Sequence, residues 1–263
     1  MRSPFFFASA AVITLGGMGL AAAAPSLAQT AAISYTSGAA SSDDDQVNRA
    51  LQQASELRVK VDFAGALSLC RHALAIDKTS CDAYAEMAET LAAQGQNAEA
   101  LKMFREACGE NRAQTWSSCR MQDGDLQFRF ALFLLKEGGY EEAVKMYKVG
   151  YSVLPERQRT LVNGKFSSKE LLSAPALRRE FEAAVRTSLG IKYSELMLVD
   201  RAVSQFRTVL ASVPGEPTAH YLLGNALLLK GRKNEAQQAW QVAASGSNGS
   251  VKNYAREALA QNR

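Results

Sequence analysis

AHYLLGNALLLKGRKNEAQQAW, residues 219–240, decides the fold. Two apolar-periodic runs flank Lys230-Gly231-Arg232, and a small residue in the first run, Gly224, stands twelve positions before Ala236 in the second. Apolar residues recurring three and four apart mark two helices, and the central glycine suits a left-handed cap between them. A second stretch, GGYEEAVKMYKVGYSVLP at 138–155, has the same order of a glycine turn, Ala143, an aromatic four residues later and a closing proline.

Outward from these two stretches the alanine recurs as Ala66, Ala100, Ala143, Ala202 and Ala236, at spacings of 34, 43, 59 and 34 residues. The two longer spacings equal 34 plus insertions of 9 and 25. Twelve residues before each anchor stand Ala54, Ala88, Ala131, Gly190 and Gly224, and nine before it Leu57, Leu91, Leu134, Tyr193 and Leu227. Four residues after it come Cys70, Phe104, Tyr147, Phe206 and Trp240, and seven after it Ala73, Ala107, Gly150, Val209 and Ala243. Antiparallel helices approach closely only where small residues meet, so the small position of the first helix is expected against the alanine of the second, with large side chains filling the space beside it. Gly95, Gly138 and Gly231 mark turns, and Pro155 and Pro214 fall where a second helix must stop.

This pattern resembles the tetratricopeptide-repeat family, whose period is 34 residues. The resemblance implies an all-α, right-handed superhelical solenoid of antiparallel helix pairs, with about five units at 47–80, 81–114, 124–157, 183–216 and 217–250. Residues 251–263 complete it as a capping helix with a solvated outer face. In domain terms, units one to three span 46–157, a connector 158–182, and units four and five with the cap 183–263. The pattern departs from the family at Lys78, where proline is usual, and at Leu196-Met197-Leu198-Val199, where the fourth turn lacks glycine.

The N-terminus is read separately. Arg2 is the only charged side chain before Asp43, an apolar run follows from Phe5 to Ala24, and Ser26 and Ala28 supply small residues before Gln29. These are the parts of a secretory signal peptide, 1–28, cleaved after Ala28, which places the protein outside the cytoplasm, in a periplasm. Residues 29–45, rich in Ala, Ser and Thr, are expected as a flexible leader, and Asp43–Asp45 favour the positive end of the helix that follows. The net charge of +4 over 263 residues, with no basic stripe, argues against nucleic acid. No membrane contact is expected beyond the export signal.

Four cysteines in an exported chain point to disulfides. Cys108 ends a helix and Cys119 lies in the nine-residue insertion, so Cys108–Cys119 is the preferred bond. Cys70–Cys81 forms only if the turn between them deforms. No CxxC or nearby histidine completes a metal site. HExxH, GxSxG and GxxxxGK[ST] are absent, His72 reads as a surface residue and His220 as a partly buried packing residue. The expectation is therefore a protein that is not an enzyme and uses no cofactor and no metal.

The family resemblance implies a concave wall of first helices in which a polypeptide lies. The second, fifth, ninth and twelfth positions of each first helix share one face. They are Asp82, Ala85, Glu89 and Ala92 in unit two, Asp125, Phe128, Leu132 and Leu135 in unit three, and Thr218, Tyr221, Asn225 and Leu228 in unit five. Phe128, Leu132, Tyr221, Asn225 and Leu228 are the candidate partner-binding residues. Asn225 matches one position of the basic clamp that some relatives use for a C-terminal carboxylate, but Leu51 stands where its lysine is expected. Phe128 and Leu132 have an alternative role, packing against the 158–182 connector. Two functions follow: a scaffold or assembly factor for envelope proteins, or an accessory subunit of an exported enzyme or secretion complex.

Overall fold

The computed structural model describes residues 42–109 and 124–262, and within them every regular element is a helix. Residues 1–41, which hold the expected export signal and most of the leader, and 110–123, which hold Cys119, lie outside the described residues. Five antiparallel pairs follow one another: α1 (Ser42–Val59) with α2 (Phe63–Ile76), α3 (Cys81–Ala93) with α4 (Asn97–Cys108), α5 (Asp125–Lys136) with α6 (Tyr140–Ser152), and, after a connector, α9 (Pro175–Glu195) with α10 (Val199–Ser212) and α11 (Pro217–Leu229) with α12 (Lys233–Ser245). The connector holds α7 (Glu156–Arg159) and α8 (Ser168–Ser173), and α13 (Gly249–Gln261) closes the array against α12. The chain is an all-helical solenoid of consecutively packed pairs. Helix α1 begins at Ser42 with Asp43, Asp44 and Asp45 in its first turn, so the end of the expected leader is helical.

The repeat register is visible in the turns. In each pair one backbone bond closes the first helix: Asp62 N to Leu57 O, Gln96 N to Leu91 O, Gly139 N to Leu134 O, Leu198 N to Tyr193 O and Arg232 N to Leu227 O, all at 2.8–2.9 Å. The acceptor is always the large residue nine before the anchor alanine. This six-to-one bond needs a left-handed residue just before its donor. Gly95, Gly138 and Gly231 supply it at φ 80°, 81° and 73°, while the first and fourth turns force Val61 and Met197 to φ 65° and 58°.

The core follows the repeat. All five anchor alanines are buried, as are Cys70, Phe104, Tyr147, Phe206 and Trp240 four residues later. The close contact differs from the sequence expectation in its partner. A Cβ on Gly224 would lie 2.4 Å from Trp240 Nε1, and one on Gly190 2.5 Å from Phe206 Cε1. In the fourth and fifth pairs the small residue of the first helix therefore seats the aromatic ring of the second, not its alanine. Rings fill more of the gap between helices and bury more apolar surface than a methyl can, at about 25 cal/mol per Å².

The connector packs on the third pair. Phe166 and Phe181 stand edge-on to Tyr147 at ring separations of 5.8 and 5.3 Å, and the Tyr147 hydroxyl donates to Asn163 O at 2.6 Å. Helix α5 is consequently buried nearly all round, including the polar Asp125, Gln127 and Arg129. Helix α13 covers α12 with Val251 and Ala255.

Candidate functional site

Glu86 and Glu89 stand three apart on α3, one helical turn on the same face, and Arg129 faces them from α5. Its guanidinium donates from Nε to Glu89 Oε1 at 2.7 Å and from Nη2 to Glu86 Oε2 at 3.2 Å. Arg58, from α1, reaches the same two carboxylates at 3.0 and 2.8 Å. Arg201, from α10, comes within 3.8 Å of Glu86. Arg129 and Glu86 are 3% and 1% exposed, so the centre of this network is sealed from water, while Arg58, Glu89 and Arg201 are half-buried at its edge. Burial alone would lower a guanidinium's pKa, but Glu89, Tyr193 and Glu86 hold Arg129 well above the ordinary range. Burial likewise works to raise the Glu89 carboxyl, and Arg129 and Arg58 overturn it, holding Glu89 down at about 2. The network joins helices from four of the five pairs.

Beside it lies an open cavity of about 410 Å³, bounded by α1, α3, α4, α5, α9 and α10. Ser55 and Val59, Glu89 and Ala93, and Leu132 and Lys136 are its successive wall residues, the ninth and thirteenth positions of the first three units. Five cations line it, Arg58, Arg129, Lys136, Arg186 and Arg201, against the single carboxylate of Glu89. Arg186 is held by Glu182 at 2.8 Å and Gln205 at 3.2 Å, and Lys136 is exposed. The cavity lining is thus cationic, although the second and ninth positions of unit two, Asp82 and Glu89, are acidic. Glu89 and Ala92 do line the cavity, but the arginines around Glu86 and Glu89 reverse the sign.

Of the five predicted binding residues, Leu132 alone lines this cavity. Phe128 is fully buried, its ring 5.9 Å from Tyr147 and pressed on Gly150, so it belongs to the third pair's core. Tyr221, Asn225 and Leu228 come together elsewhere, in a small crevice under α13 with Tyr254. Tyr221 is buried with its ring 6.0 Å from that of Tyr254, and Asn225 Oδ1 accepts from Trp240 Nε1 at 3.0 Å. These three are occupied by the protein's own cap. Phe128 and Tyr221 hold fifth positions, which pack against neighbouring helices, while the ninth and thirteenth positions of the first three units line the cavity and the ninth and twelfth of unit five lie under the cap. Glu86 and Arg129 are sixth-position residues, and their opposite charges on adjacent first helices were the signal that was available. No residue of 158–182 lines the cavity, and Phe166 and Phe181 pack on the α6 side instead.

The cysteines correct the expected pairing. Cys108 and Cys70 both carry reduced thiols, so neither Cys108–Cys119 nor Cys70–Cys81 is formed. Cys108 closes α4 half-buried against the core, and Cys70 is wholly enclosed by the first pair. Burial, followed by the nearby Glu86 carboxylate, pushes the Cys70 thiol up to about 12. Cys81 is disulfide-bonded. His72 is exposed, and His220 is half-buried with Nε2 2.8 Å from Pro214 O.

A sequence profile of the tetratricopeptide repeat matches residues 69–102, spanning most of α2, all of α3 and the start of α4. A comparison with characterised proteins by sequence finds no match. Among solved structures, the MamA protein aligns at 14% identity over 79% of this chain and 95% of its own, with a TM-score of 0.36. Pseudomonas aeruginosa PilF aligns at 17% over 84% and 90%, with a TM-score of 0.39. YrrB, described as a TPR protein with an unusual peptide-binding site, aligns at 18% over 79% and 90%, with a TM-score of 0.34. The profile match covers one period, and the same small, large and anchor positions recur in four further pairs closed by the same turn. Residues 69–102 thus carry a tetratricopeptide repeat, and the four further helix pairs resemble it.

Proposed function

We propose that this protein is a non-catalytic interaction scaffold of the cell envelope that holds a segment of another polypeptide in its concave groove. The observation that carries the reading is the cavity of about 410 Å³, walled by Leu132, Leu189 and Phe133 and lined by five cations against one carboxylate. Such a lining suits an extended segment with apolar side chains and at least one Asp, Glu or terminal carboxylate. Charge-assisted hydrogen bonds from arginine are stronger than neutral ones and fix the position of a carboxylate. Arg58 and Arg129 are already engaged by Glu86 and Glu89, which leaves Lys136, exposed at the rim, as the cation an incoming acid meets first.

The test is binding of a fluorescent Glu/Leu-containing peptide by anisotropy. Lys136→Glu is expected to weaken it roughly tenfold, in line with a well-placed interface residue, with an unchanged melting temperature. Equal affinity for wild type and variant refutes the groove reading. Export is part of the proposal, resting on Arg2, the apolar run and Ala28. Intact mass of the protein from its host should begin at Gln29, and a full-length species would exclude cleavage there.

A further inference from the structure

We propose that the crevice between α1 and the α9–α10 turn is a second docking site, one that takes a polypeptide segment carrying Lys or Arg beside an apolar side chain. The inference does not depend on the groove reading above. The crevice has a volume of about 750 Å³ and is bounded by α1 on one side and by Leu196, Met197, Leu198 and Val199 on the other.

Two observations choose the occupant. The first is apolar. Met197 and Leu198 are 53% and 41% exposed and lie on the wall of the crevice. Met197 also holds φ 58°, a conformation that three sister turns give to glycine. At those sister turns a Cβ would meet nothing within 4 Å, so a side chain in that position contributes no packing to the hairpin. A methionine there is conformationally unfavourable and leaves its thioether over the crevice, where it is available to an apolar partner.

The second observation is charge. Asp45, Glu56, Asp82, Asp125 and Asp200 line the crevice against Arg49 and Arg201, in a chain whose net charge is +4. Arg201 is engaged, donating to Leu51 O at 3.5 Å and lying 3.8 Å from Glu86. Asp200 pairs with Lys230, and Asp82 lies 3.7 Å from Arg129. Asp45 and Glu56, both exposed on α1, make no ion pair among the described residues. Complementarity of charge selects a cationic segment, and the neighbouring cationic groove repels it.

The probe is a fluorescent decapeptide with two lysines flanking a leucine in a Gly/Ser background, titrated with the full chain. Wild type is expected to bind it. Met197→Gly and the double variant Asp45→Asn/Glu56→Gln are each expected to lose roughly tenfold in affinity, the scale of an interface anchor. Met197→Gly should melt at the same or a higher temperature, because glycine relieves the left-handed backbone. Val61→Gly, the same change at a turn that lines neither cavity, and Lys136→Glu should leave this binding unaltered. The proposal is overturned if wild type does not bind, if Met197→Gly binds as wild type does, or if Lys136→Glu weakens the lysine peptide as much, which would put that peptide in the groove. Light scattering adds a further arm. A concentration-dependent dimer abolished by Met197→Gly would mean that the crevice holds a second copy of this chain, and would also overturn the proposal.

Discussion

Gly224 has no room for a side chain: a methyl there would press on the Trp240 indole, which is itself fixed by bonds to Tyr221 O and Asn225 Oδ1. Gly224→Ala is expected to destabilise the protein by about 1–3 kcal/mol, the usual cost of overpacking, and to quench or shift the Trp240 emission. A urea midpoint equal to wild type would show that the indole moves aside freely. At the cysteines the outcome is decided by enclosure. Cys70 and Cys108 carry thiols, while Cys81 is disulfide-bonded. A non-reducing peptide map should recover Cys81 in a linked species and Cys70 and Cys108 alkylated after denaturation. Recovery of a Cys108–Cys119 species would reverse this assignment. Sequence spacing could not settle the pairing, because helix-end position says nothing of which thiol the core covers.

At the scale of the element, α5 is the unusual helix. Its neighbours surround it, yet it carries Arg129 at 3% exposure, and the helix is tolerable only because Glu86 and Glu89 of α3 meet that guanidinium. Removing one member of a buried pair strands the other, a loss of about 3–5 kcal/mol. Arg129→Ala is therefore expected to destabilise the protein by that much in a denaturant melt, far more than Lys136→Glu three residues from the same cavity wall's Phe133. A loss below about 1 kcal/mol would mean that the carboxylates find water or Arg58 alone sufficient. The helical periodicity of α5 was legible, since its apolar residues recur at three and four. Its inward polar face was not, because a lone arginine on an amphipathic run reads as solvated until the next helix is placed.

For the whole molecule, the Arg58, Glu86, Glu89, Arg129 and Arg201 network binds the first four pairs together across the concave side. Glu89 is held at about 2, below the ordinary value of about 4.3, so the stability it contributes is fully present above the unfolded value and is lost as pH falls toward the folded one. Urea midpoints should drop between about pH 5 and pH 2 in wild type. In Glu89→Gln the starting stability should be lower and the slope over that window shallower. Parallel slopes for the two proteins would show that Glu89 is not the titrating group. Residue order by itself determined the five helix pairs, their turns and their cap. Small, large and glycine positions within 34 residues are local constraints that any helical hairpin of this sequence must satisfy. Only tertiary structure decided which stripe of each first helix faces the groove, that the groove is cationic and that the cap takes Tyr221 and Asn225. Those outcomes depend on which neighbouring helix packs on each stripe, and on charges that meet only when helices forty residues apart in sequence are brought side by side.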